Sequence, residues 1–179
     1  LVSDLPNDSG FRIAPGTPAL LDTSQSDLSS LLAYGMVATA PLLGVGYFSS
    51  DETSTRPPPI ATSSVTAVVI GTAYAPRTYA KLVFRRPRPY VDTNQVTDDV
   101  EAYQSFPSGH ALLTWACVGD AVAGWIRGTR DPWAAAVLAA GATAVSYLRW
   151  SSGSHYAGDV LAGATVGFLL GTALSLASR

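Results

Sequence analysis

Charge is what this sequence has least of. Lysine and arginine number 11 and aspartate and glutamate 13, together 13% of 179 residues, against about 25% in an ordinary soluble domain. With a mean hydropathy of +0.22, this leaves much of the surface with no need to face water. The net charge of −2 gives no electrostatic footprint for nucleic acid. A single cysteine, Cys117, excludes an internal disulfide and a thiolate metal site; in its apolar surroundings it reads as a small core residue. Carboxylates are too scattered to hold Mg²⁺ or Zn²⁺, so no cofactor is expected. Histidine occurs twice, as His110 and His155. The chain starts at Leu1 with no charged-then-apolar signal pattern, as expected if a targeting segment has been removed or the chain trimmed.

Long apolar runs are plentiful. After a polar leader over 1–27, rich in Pro, Gly, Asp and Ser, come five apolar stretches: Leu28 to Phe48, Ile60 to Phe84, Ser108 to Ile126, Pro132 to Tyr147 and His155 to Ala177. Helices of about 20 residues cross ~30 Å of hydrocarbon. The expected fold is therefore all-α, a bundle of five long helices over 28–179, transmembrane in character. Small residues four apart, Gly163, Gly167 and Gly171, let helices approach closely in lipid. A soluble helical bundle with an Ala-rich core is the alternative. Pro76 falls inside the second stretch, where a kink is expected. With the 85–107 connection outside, Arg56, Arg127, Arg130 and Arg179 fall inside, as the positive-inside rule asks.

Three polar islands interrupt the apolar runs: Lys81 to Pro89, Pro107 to His110, and Arg149 to Asp159. Segment alternation puts all three at one end of the bundle. Lys81, Arg88 and Arg149 are cations suited to the equatorial oxygens of a phosphoryl group. Ser108 and Gly109 open a helix, whose free N–H groups and dipole favour an anion. His155 and Asp159 lie four apart, on one face of a helix. The carboxylate can hold the tautomer that leaves the other ring nitrogen free to attack phosphorus. His110 can supply a proton to the departing alkoxide, and fixed cations take the place of a metal in neutralising charge.

These islands resemble the three signature motifs of the type 2 phosphatidic acid phosphatase (PAP2) superfamily. Lys81, Arg88 and Pro89 match the first, 107–110 (Pro-Ser-Gly-His) the second, and Arg149, His155 and Asp159 the third. The third departs at Leu148, where the family has serine. The resemblance implies a metal-independent phosphatase acting through a phosphohistidine, with His155 as nucleophile, His110 as acid and base, and Asp159 as the group orienting His155. Lys81, Arg88, Ser108, Gly109 and Arg149 then bind phosphate. Membrane-bound members generally have six helices, with the first motif after the third; here it follows the second stretch. The membrane branch implies a lipid phosphate or pyrophosphate substrate, membrane lipids as partners, and an integral protein of the bacterial inner membrane with its site facing the periplasm or exterior. Two alternatives are a soluble acid phosphatase of the same superfamily and a non-enzymatic anion-binding transporter.

Other charges are less specific. Arg85 and Arg86 read as solvated or as headgroup contacts. Arg77, one turn before Lys81, is a candidate to line the cavity, and interfacial snorkelling is the alternative for Lys81, Arg88 and Arg149 taken singly. Asp120 reads as reaching water or Arg127, and Asp98, Asp99 and Glu101 as loop solvation. Trp125, Trp133 and Trp150 fall where interfacial anchors sit, and Trp115 reads as core.

Overall fold

The computed structural model describes residues 21–43, 59–93 and 99–178. Residues 1–20, most of the 49–59 connection with Arg56, and Asp98 and Arg179 lie outside them, as does the end of the first apolar stretch. Five α-helices follow in chain order: α1 (Thr23–Thr39), α2 (Pro59–Phe84), α3 (Gly109–Ile126), α4 (Pro132–Ser151) and α5 (Ala157–Ala177). Two short 3₁₀ turns, Pro89–Thr93 and Val100–Tyr103, fall in the connection between α2 and α3. There is no strand among the described residues, so the all-α five-helix expectation holds.

The helix ends differ from the hydropathy boundaries for local reasons. α1 begins five residues before Leu28, because Asp22 caps it by accepting from the Gln25 N–H at 3.1 Å. α4 runs past Tyr147 to Ser151 and carries Arg149 in its last turn, where a cation complements the helix dipole. α5 starts two residues after His155, so His155 and Asp159 do not share a helical face as expected. His155 belongs to the link, and Asp159 sits in the first turn. Pro76 does lie inside α2.

α3 is the central helix, packed against all four others and most extensively against α5. A Cβ at Gly163 would come within 2.5 Å of the Ser108 carbonyl oxygen, and one at Gly167 or Gly171 within 2.1 Å of the Leu112 or Ala116 carbonyl oxygen. Backbone therefore meets backbone along the α3–α5 seam, which only glycine allows. The same seam sets the start of α3 against the start of α5, which brings the second and third polar islands together.

The core is built of small side chains. Cys117, Val118, Ala121, Leu138 and Ala142 form its main cluster, so Cys117 is a core residue as expected. Trp115 packs edge-on to Phe168 and donates to the Ser146 hydroxyl at 3.1 Å. Asp120 reaches neither water nor Arg127. It is 2% exposed and pairs with Arg130 at 3.1 Å while accepting from Thr66 at 2.6 Å. Arg127 instead donates to the Ser175 carbonyl. Arg130 is thus spent on an internal ion pair and drops out of the positive-inside count.

Large apolar side chains cover the outside: Leu31, Val68, Tyr79, Leu82, Val137, Leu161 and Leu169 are each more than half exposed. Among the described helices, α5 alone is long and apolar enough to cross a membrane, with a hydropathy of 1.9 over its best window.

Candidate active site

The site lies where the end of α2, the connection to α3, the start of α3, the end of α4 and the link into α5 converge. His155 is buried, 2% exposed. Its backbone N–H donates to the Arg149 carbonyl at 3.1 Å, and Gly153, at φ +73°, supplies the left-handed turn the link needs. On the ring, Nδ1 lies 3.8 Å from Asp159 Oδ2 and 3.4 Å from Ser105 Oγ. The 3.8 Å separation is longer than a hydrogen bond, and the Ser105 hydroxyl spans the gap, donating to Asp159 Oδ2 at 2.5 Å. With Nδ1 turned to this pair, Nε2 has no protein partner among the described residues and is the atom free to attack.

Burial pushes the His155 pKa down to about 4, and Arg88 and Arg149 push the same way, against the pull of Asp159. The ring is neutral at neutral pH, the form in which an imidazole nitrogen can act as a nucleophile.

Asp159 does more than orient His155. Its Oδ1 pairs with Arg86 at 2.6 Å, and its Oδ2 accepts from the Tyr156 N–H at 3.1 Å, closing the first turn of α5. Arg86 is therefore neither a solvated nor a headgroup-binding residue. It turns inward, its guanidinium 4.3 Å from the Tyr156 ring centroid. Arg85 does stay exposed, with a positive φ of 43°.

The expected cations come together. Lys81 and Arg149 are buried, at 7% and 3% exposure, and neither has a carboxylate partner among the described residues. Arg77, Arg88 and Arg149 are the cations whose charge Lys81 feels. Arg88 is steadied by the second 3₁₀ turn: its N–H meets the Ala102 carbonyl at 2.8 Å and its Nε the Glu101 carbonyl at 3.0 Å. Glu101 and Asp99 therefore have structural work, Asp99 capping that turn. Arg149 reaches His110 Nε2 at 2.9 Å and, from α1, the Ser26 hydroxyl at 3.3 Å and the Ser30 hydroxyl. Tyr34 of α1 packs on the His110 ring, centroids 5.5 Å apart.

At the α3 start, one expected role changes hands. The Ser108 N–H is taken by the Asp159 carbonyl at 3.0 Å, so it is not available to an anion. The Ser108 hydroxyl is available: Ser108 Oγ, Arg149 Nε and Arg77 Nε are buried and have no hydrogen-bond partner among the described residues. Gly109 leaves the room into which Arg77 is laid.

The family model described as PAP2 superfamily matches residues 62–179. The chain belongs to the PAP2 superfamily. No curated protein and no solved structure gives a match. Membership in PAP2 carries phosphatase-type activity, hydrolysis of a phosphoric ester. The matched segment holds all three motifs, while α1, which supplies Ser26, Ser30 and Tyr34, lies ahead of it.

Sequence reasoning missed Ser105 and the α1 serines. Ser105 stands two residues before the second motif, with no spacing that marks it. Ser26 and Ser30 have a faint signal, two hydroxyls four apart that share one helical face.

Proposed function

We propose that this PAP2 protein is a membrane-embedded lipid phosphatase that cleaves a phosphomonoester or pyrophosphate through a phosphohistidine on His155, without a metal ion. The observation that carries the reading is the set of buried, unpaired groups around the two histidines. A buried charge with no counter-ion costs several kcal/mol, as does, to a smaller extent, an unpaired buried hydroxyl. Lys81, Arg149 and Ser108 all bear such costs, and a bound phosphate relieves them together.

In this mechanism, Lys81, Arg88 and Arg149 hold the equatorial oxygens and neutralise the charge that spreads over them. His155 Nε2 attacks in line, its other nitrogen steadied by Ser105 and Asp159. His110 is neutral while its Nε2 accepts from Arg149; in this reading it takes up a proton as the phosphate dianion enters and draws Arg149 away, gives that proton to the departing alkoxide, and then serves as base for the water that releases phosphate. Arg86 holds Asp159 in place through their 2.6 Å ion pair. The Ser108 hydroxyl and the Gly109 N–H complete the cradle.

The lipid assignment rests on the belt of exposed apolar side chains and on α5. Large exposed apolar area marks a surface that meets lipid or a partner. The site end faces the periplasm or exterior in this reading, within a bacterial inner membrane. The test is phosphate release from a panel of lipid phosphates in detergent with EDTA present. Turnover is expected in wild type and absent in a folded His155→Ala variant. Turnover that disappears with EDTA, or survives in His155→Ala, contradicts the mechanism. Partition into the aqueous phase without detergent contradicts the membrane assignment alone.

A further inference from the structure

Arg77 lies outside all three motifs, yet it is aimed at the site. It stands one helical turn before Lys81 on α2, on the same face. Its side chain is laid across Gly109, so that a Cβ there would come within 2.1 Å of Nε and 2.8 Å of Cδ. Its Nε is buried without a hydrogen-bond partner, and its guanidinium carbon sits 4.7 Å from the Tyr74 ring centroid. No carboxylate pairs with it among the described residues.

The position is one-sided. Laid across Gly109, the residue next to His110 in the chain, Arg77 stands on the proton-donor side of the site, where the leaving group departs. The charge count points the same way. Lys81, Arg88 and Arg149 already offset the charge of one phosphoryl group, and Arg77 is a fourth cation with nothing left to neutralise on a monoester.

We propose that Arg77 holds the leaving phosphate of a lipid diphosphate and selects diphosphate over monophosphate substrates. The assignment rests on the phosphatase reading above. A bond forms between His155 Nε2 and the terminal phosphorus as the bond from that phosphorus to the bridging oxygen breaks. The electron pair stays on the bridging oxygen, now part of a lipid monophosphate, and Arg77 neutralises the charge that collects there. Water then attacks the phosphohistidine, the N–P bond breaks, and inorganic phosphate leaves with the proton lost to solvent through His110.

The experiment compares farnesyl diphosphate with farnesyl monophosphate in detergent, using wild type, Arg77→Gln and Arg77→Lys. The ratio of kcat/KM for diphosphate to that for monophosphate is expected to fall about 10-fold or more in Arg77→Gln, the scale of one lost charged hydrogen bond. Arg77→Lys, which keeps the charge, is expected to recover part of it. Each variant's melting temperature and vanadate affinity check that the site is still assembled. An unchanged ratio, whether both activities fall together or neither falls, overturns the assignment of Arg77 and leaves the phosphatase reading standing. Wild-type protein inert towards both substrates overturns the phosphatase reading and this proposal with it.

Discussion

The Arg149 guanidinium lies 2.9 Å from His110 Nε2, so two residues from different motifs touch. A guanidinium can only donate, so Nε2 must accept and the His110 proton must sit on Nδ1. Arg149 is thus shared between a histidine, two serines of α1 and the substrate phosphate. Its planar fork allows this, and a lysine cannot reproduce it. Arg149→Lys is expected to lower kcat/KM by about 10- to 100-fold, the cost of one to two charged hydrogen bonds. Steady-state kinetics on the purified variant check it, and activity within twofold of wild type contradicts it.

His155 should titrate far below an ordinary histidine. Its folded pKa is about 4 against 6.5 for the free side chain, so the fold favours the neutral ring. The stability this contributes is present above pH 6.5 and is lost as pH falls through that window towards 4. With two histidines in the chain, His110→Asn leaves a single ring signal in an NMR titration. That signal is expected to shift below pH 5; a midpoint at 6 or higher contradicts the account.

Leu148 stands where the superfamily motif has serine, and α1 offers hydroxyls of its own. The Ser26 and Ser30 hydroxyls both accept from the Arg149 guanidinium, so they steady Arg149. Ser30→Ala combined with Ser26→Ala is expected to raise KM and weaken vanadate binding by about 5- to 10-fold, the scale of a lost hydrogen bond or two. Ser30→Thr, which keeps the hydroxyl, should restore most of it. Equal loss in the alanine and threonine variants points to a packing role instead.

The seam between α3 and α5 can be tested without touching chemistry. A leucine at Gly167 would drive a side chain into the Leu112 backbone. Overpacking of this kind costs about 1–3 kcal/mol and sometimes more. Thermal unfolding in detergent should show Gly167→Leu clearly less stable than wild type. An unchanged melting temperature contradicts the close packing.

Asp120 offers a stability prediction of another kind. Removing one partner of a buried ion pair strands the other charge, at about 3–5 kcal/mol. Asp120→Ala should therefore lower stability sharply by leaving Arg130 unpaired, while kcat per folded molecule stays near wild type.

Much of this was legible in the sequence because the chemistry is written in rare residues. The one lysine and both histidines of this apolar chain fall in the three polar islands, and Lys81, Arg88, His110, Arg149, His155 and Asp159 are brought together, while Arg127 and Arg130 are spent elsewhere. The glycines at spacing four marked a face of close approach on α5, but not α3 as its partner. Hydropathy gave the helix count but not the ends. The α1 start depends on the Asp22 cap, and the His155 link depends on a glycine turn, both local effects that an apolar run does not record. The Arg86–Asp159 pair and the Thr66–Asp120 hydrogen bond were out of reach because they join residues 73 and 54 positions apart, set by tertiary packing alone.

The central claim is that a phosphoryl group passes through His155. The direct measurement is to quench the enzyme in alkali during turnover of a radiolabelled lipid phosphate and find which peptide carries the label. The account predicts an acid-labile label on the peptide containing His155, absent in His155→Ala. Label on the His110 peptide, or turnover with no phosphorylated enzyme at any time point, would contradict it.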